Sequence, residues 1–174
     1  MQYLVLTVLG ADRPGIVEAL AQVIAAHEGN WLESRMARLA GQFAGILRAS
    51  VPPAQAEALI QALQDLQPTG LTVTMTSSMH DEATPDYRWL RLVLTGYDHP
   101  GIIRDVSHAL AWRGINIDEL HSEYTSAPMS GVMLFKATAT LRVPLHVVMS
   151  DFQEHIERLA HDLVVDIVLE EAKG

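Results

Sequence analysis

The sequence predicts an α+β chain built from two tandem βαββαβ units, each a four-stranded antiparallel sheet with both helices on one face. Three observations carry that prediction. Gly10-Ala11-Asp12-Arg13-Pro14-Gly15-Ile16 returns as Gly96-Tyr97-Asp98-His99-Pro100-Gly101-Ile102, 86 residues later in a chain of 174. At the same offset Leu4 matches Leu90, Leu6 matches Leu92, Asn30 matches Asn116 and Gly45 matches Gly131. Strand-like and helix-like segments also follow one another in the same order in both halves. A period of this size marks a duplicated domain, not a solenoid repeat.

In the first half, Tyr3–Leu9 is an apolar run of strand length. Pro14 to about His27 is helical in pattern, with Ile16, Leu20, Val23 and Ile24 on one face. Asn30–Leu39 and Phe43–Val51 read as strands joined by a hairpin-length turn at Ala40-Gly41-Gln42. Pro52-Pro53 ends the second of them, and Ala56, Leu59, Ile60 and Leu63 form the apolar face of a second helix. Pro68-Thr69-Gly70 breaks that helix before a last strand, Leu71–Thr76.

The second half repeats the series. Strand Arg88–Thr95 precedes a helix carrying Ile102, Val106, Ala109 and Leu110. Strands Ile115–Tyr124 and Val132–Thr140 follow, then a helix from Pro144 with Leu145, Val148, Met149, Phe152, Ile156 and Leu159, then strand Leu163–Leu169. Polar residues 78–87 read as a linker, which makes residues 1–77 and 88–174 the two domains. The element order is that of the ferredoxin-like arrangement, which leaves one sheet face bare in each half. The other half or a second chain is the expected cover, and a homodimer stays open.

Composition narrows the function. The net charge is −9, with six acidic and four basic side chains in residues 1–79 and fifteen and eight in residues 80–174. Nucleic-acid binding needs clustered basic residues to displace counterions. This chain has two lysines, Lys136 and Lys173, and no basic run, so neither direct DNA binding nor an electrostatic hold on a membrane is expected. Its apolar runs are strand-length, which argues against a transmembrane helix. The amino terminus has no basic n-region, and a cytoplasmic location is the simplest expectation. With no cysteine there is no disulfide, thiol nucleophile or zinc–thiolate site.

The repeated loop is the candidate site. Proline favours the first helical position, so Arg13 and His99 are expected to cap the helices, with Gly15 and Gly101 in the first turn. The N–H groups of Gly15, Ile16, Gly101 and Ile102 then rank among the orphan donors of a helix start, where a carboxylate-sized anion also gains from the helix dipole. The plainer alternative is a tight strand-to-helix turn and nothing more. Asn30 and Asn116 open the second strand, expected near the end of the first, where an amide can accept from an ammonium and donate to a carboxylate. No P-loop or dinucleotide fingerprint is present.

Asp-x-Pro-Gly-Ile after a first strand, with Asn opening the second, resembles the ACT domain, a regulatory amino-acid-binding module. The stretch Asn30-Trp31-Leu32-Glu33-Ser34-Arg35-Met36-Ala37-Arg38-Leu39, continuing to Phe43-Ala44-Gly45, is similar to the glycine cleavage system transcriptional repressor family, as is Ala127-Pro128-Met129-Ser130-Gly131. The resemblance implies an amino-acid sensor, with glycine or serine as ligand. It implies control of transcription through contact with an activator protein, without DNA binding. The ligand positions it implies are Asp12, Pro14, Gly15, Ile16 and Asn30, and Asp98, Pro100, Gly101, Ile102 and Asn116. The halves depart from each other where Arg13 answers to His99 and Trp31 to Ile117.

Seven of the eight histidines lie at position 80 or later, yet none has zinc-ligand spacing, although His121-Ser122-Glu123 places two possible ligands on one strand face. Ser34, Ser107 and Ser130 have no nucleophile-elbow setting. No catalytic residue, metal or cofactor is therefore expected, and the chain is not expected to be an enzyme. The competing reading is a regulatory subunit or small enzyme of amino-acid metabolism that uses the same domains to hold its ligand.

Overall fold

A computed structural model describes residues 1–77, 86–126 and 132–172. Most of the linker expected at 78–87, and the whole Ala127–Gly131 stretch, lie outside the described residues. The chain divides into two compact units, Met1–Glu82 and Ala83–Gly174.

The first unit runs β1 (Gln2–Ala11), α1 (Ile16–Ala26), β2 (Asn30–Leu39), β3 (Gln42–Val51), α2 (Ala56–Gln64) and β4 (Leu71–Ser77). Its sheet has the order β2-β3-β1-β4, and every neighbouring pair is antiparallel. Alternation places Leu4, Leu6 and Val8 of β1 and Leu47, Ala49 and Val51 of β3 on one face, all buried. Ile16, Leu20 and Ile24 of α1 and Ala56, Leu59 and Leu63 of α2 pack on that face at helical spacing. Each such leucine removed from water is worth roughly 1.5–3 kcal/mol.

The second unit is β5 (Tyr87–Tyr97), α3 (Ile102–Ala111), β6 (Asn116–Ser126), β7 (Met133–Pro144), α4 (Met149–Leu163) and β8 (Val165–Glu171), with sheet order β6-β7-β5-β8. Leu90, Leu92 and Leu94 repeat the inner row of β1, and Phe152 and Ile156 of α4 fill the middle of the core. The βαββαβ order is as read from the sequence in both units.

Two boundaries differ from that reading. Pro144 ends β7 instead of opening α4, because it lies opposite Tyr87 at the last step of the ladder. Leu145 and Val148 are accordingly 54% and 58% exposed, not part of a buried helical face. The offset of 86 also fails beyond β2. It holds through an identical ladder irregularity after Trp31 and after Ile117. Then Leu47, opposite Leu6, answers to Ala139, opposite Leu92, so the offset grows to 92. Leu71, opposite Gly10, answers to Val165, opposite Gly96, so it grows again to 94. Gly45 is thus the counterpart of Ala137, and its match with Gly131 is a coincidence of spacing.

The register explains a packing difference. Under α3 lies an apolar cavity of about 20 Å³, lined by Leu92, Ile103, Val106, Leu110, Ile117 and Ala139 among others. In the first unit the counterparts of Ala139 and Ile117 are the bulkier Leu47 and Trp31. Replacing Ala139 by valine should fill the gap with two methyl groups at a strand position that suits β-branching. The expected gain is ~0.5–2 kcal/mol, read as a raised denaturation midpoint for the second unit.

Candidate functional site

Each repeated loop hangs from the end of the central strand, and its glycine is what turns the chain into the helix. Gly15 has φ 90° and ψ 1°, and Gly101 φ 103° and ψ −5°. These are left-handed values that follow a proline as in a type II turn. The glycine carbonyl accepts the first helical hydrogen bond, from Ala19 N in one half and Asp105 N in the other, both at 2.9 Å. Gly15 and Gly101 are therefore the N-caps, and the helices begin at Ile16 and Ile102. Arg13 and His99 are not caps, and Pro14 and Pro100 stand before the helix, because only glycine enters that left-handed position without strain. No side chain caps either helix start, so its leading N–H groups have no side-chain acceptor from a cap. Ile16 and Ile102, 2% and 3% exposed, anchor the helix starts to the cores.

The remaining loop residues tie down the turn. Asp12 accepts from Arg38 Nε at 2.6 Å, and its own N–H donates to Gly41 O at 2.9 Å. Asp98 accepts from the Tyr124 hydroxyl. Arg38 and Tyr124 are counterparts near the ends of β2 and β6. The bond to Asp98 is the main cause that raises the Tyr124 phenol above its ordinary pKa. Arg13 Nη2 donates to Thr69 O at 3.2 Å, and His99 Nε2 to Leu163 O at 3.1 Å. Thr69 and Leu163 both lie two residues before the last strand of their unit. The exchange of arginine for histidine thus keeps one structural task.

Topology separates Asn30 and Asn116 from the loops. β2 runs parallel to β1 with β3 between them, so Asn30 sits level with Ser50 and Tyr3, at the end of the sheet away from Asp12. The length of α1, 11 residues and ~16 Å, intervenes. The expectation that the asparagine lies beside the end of the first strand fails for that reason. Asn116 is likewise remote from Asp98 and donates to Asp118 Oδ1 at 2.5 Å, which also pairs with Arg142 at 3.2 Å.

The offset of 86 holds a further pair that sequence reading passed over. Glu18 in the first turn of α1 answers to Arg104 in the first turn of α3. Glu18 Oε2 lies 4.0 Å from where a Cβ on Gly15 would be, and Arg104 Nη2 2.9 Å from the same point on Gly101. Arg104 also grips Asp105 with two hydrogen bonds, of 2.7 and 3.1 Å, which holds the Asp105 carboxyl below its usual pKa. One helix start is faced by a carboxylate, the other by a guanidinium–carboxylate pair, since Asp105 Oδ2 lies 3.6 Å from the same point on Gly101. Among the described residues, no group of three or more potential ligands is placed to hold a metal, and no helix is long and apolar enough to cross a membrane.

Comparison with known proteins supplies the relatives. A family model described as the ACT domain matches residues 2–76. The structure of an unknown protein from Galdieria sulphuraria is 32% identical over 99% of both chains, with a TM-score of 0.83. That of a "putative glycine cleavage system transcriptional repressor" is 24% identical over 99% of this chain and 98% of that one, with a TM-score of 0.71. No curated protein matches.

Proposed function

We propose that this chain, whose first half matches the ACT domain model and whose second half repeats the fold, senses a small amino acid and regulates transcription through a protein partner. The observation that carries the reading is the duplicated helix start, headed by a left-handed glycine and left without a side-chain cap in both halves. A carboxylate meets several N–H donors and the positive end of a helix there. Asp12, Pro14, Gly15 and Ile16, and Asp98, Pro100, Gly101 and Ile102, build the two loops. Arg104 brings a guanidinium, shared with Asp105, to the second loop, whereas Glu18 brings a carboxylate to the first. Glycine and serine are the candidate ligands, since backbone N–H donors ask only for a carboxylate.

The indirect route to DNA rests on charge. A chain with net charge −9 and two lysines has little to offer phosphates, while its acidic second half suits a basic, DNA-bound protein. The fold likeness to a protein named as a glycine cleavage repressor agrees with this reading.

Calorimetry with glycine and serine tests the sensor. Arg104→Glu should weaken binding by removing a charge-assisted hydrogen bond worth ~1.5–3 kcal/mol, or about 10- to 150-fold in affinity. Asn116→Ala is the control, since an amino acid at Gly101 does not reach that amide within one unit. Gel shifts test the route: the chain alone should leave duplex DNA unshifted and should supershift an activator–DNA complex in a glycine-dependent way. Unchanged affinity in Arg104→Glu removes the assignment of the carboxylate. Turnover of an amino acid by the isolated chain would favour an enzyme instead.

A further inference from the structure

The two sheets end on matching strands, β4 and β8, with opposite chemistry. Among the described residues both are edge strands with one neighbour, β1 or β5. Unpaired backbone groups on a sheet edge template strand addition, and native proteins guard such edges with charge. β8 is guarded: Val165–Glu171 reads VDIVLEE, with exposed Asp166, Glu170 and Glu171. β4 is not: Leu71–Ser77 reads LTVTMTS and holds no charge, proline or glycine.

We propose that the free edge of β4 pairs antiparallel with β4 of a second copy of this chain, about a two-fold axis through Thr74. Strand symmetry supports that occupant. With Thr74 opposite itself, Thr72 faces Thr76 and Val73 faces Met75, so the exposed face carries threonine against threonine at every step. Such cross-strand threonine pairs are favourable, while like charges placed directly opposite are not. The same operation on β8, about Val168, sets Asp166 against Glu170. One edge is therefore self-complementary and the other self-repelling, which is what an isologous contact needs.

The ground beside β4 fits a second copy. An open polar groove of about 410 Å³ runs along it, lined by Gln61, Gln64, Asp65, Gln67, Thr72 and Val73. Two such grooves meeting across the axis bring neutral amides together, each able to donate and accept. Asp65, whose carboxylate accepts from Gln61 Nε2 at 3.1 Å, is the charged member of that lining, and the two Thr72 positions that share the groove with it stand four strand residues apart, ~14 Å. The dimer is independent of the ligand reading above.

A chain without cysteine gives a clean test. Thr74→Cys should oxidise to a disulfide-linked dimer, because residue 74 meets itself within the reach of a disulfide, a Cα separation of ~4.4–6.8 Å. Thr72→Cys alone should not cross-link, and Thr72→Cys combined with Thr76→Cys should. In sedimentation over a concentration series, the wild type should self-associate, Thr74→Lys and Thr74→Glu should each sediment as monomers, and their mixture should regain the dimer. Thr74 is exposed, so far-UV circular dichroism should stay unchanged in all variants. A wild type that remains monomeric with no Thr74→Cys cross-link overturns the proposal. So does a dimer indifferent to Thr74→Lys, or a Thr72→Cys variant that cross-links as readily as Thr74→Cys.

Discussion

Phe152→Ala should cost the second unit ~3–5 kcal/mol, the usual range for emptying a phenylalanine site in a core. Phe152 is fully buried on α4 and packs in the cluster that holds Leu92, Leu141 and Ile156. Small domains hold only ~5–15 kcal/mol against unfolding, so the loss takes a large share of the total. The first unit has its own cluster, built on Leu6, Leu20, Leu47 and Leu59. Trp31 reports on the first unit, and Trp89 and Trp112 on the second, so fluorescence-detected denaturation can follow each. The expected result is an early transition from the second unit beside an unmoved one from the first. A shared shift would show that the two cores melt as one.

Gly10→Ala carries the second-largest effect and acts through backbone. A Cβ on Gly10 would lie 2.7 Å from the carbonyl oxygen of Gly70, closer than such atoms approach. Relief requires that β1 and the turn before β4 draw apart, and Gly10 is where their ladder begins, opposite Leu71. Overpacking costs ~1–3 kcal/mol, and the rigid partner puts this variant at the upper end. At roughly 4–8 °C per kcal/mol for a domain of this size, the melting midpoint should fall by well over 4 °C. Gly96→Ala should cost a comparable amount, because the added Cβ would meet Val165 at Cγ1 (2.5 Å), Cβ (2.9 Å) and Cα (3.1 Å), and a buried β-branched side chain has little room to yield.

Much of the fold was legible because the local signals agree. Leu4, Leu6 and Val8 alternate, Ile16, Leu20 and Ile24 recur at helical spacing, and the duplication doubles each observation. What misled was reading a residue type without its φ. Proline at a helix start argues for the first helical position, yet Pro14 precedes a glycine whose φ of 90° marks it as the cap. Sequence distance misled in the same way for Asn30. The residue that opens β2 follows the helix that returns from the loop, so it must stand at the other end of the sheet. Glu18 and Arg104 were legible, since the offset of 86 pairs them, but a charge reversal only gains meaning once Gly15 and Gly101 are seen to lie beneath them. The six-residue lengthening of the β6–β7 hairpin, which ends the simple offset, shows only in the strand register.

The fastenings of the loop have a mechanical consequence. In the first unit Asp12 is bonded to Arg38 on β2, and Arg13 to Thr69 just ahead of β4. Those two strands are the opposite margins of the sheet. A loop at the tip of the central strand is thereby lashed to both borders, like a yoke across the sheet. Asp98 with Tyr124 and His99 with Leu163 lash the second yoke in the same way. A molecule that tilts the yoke pulls on both borders together. By reciprocity, whatever grips either border changes that molecule's hold by the same factor. The smallest moving part of each unit is then the one with the longest reach.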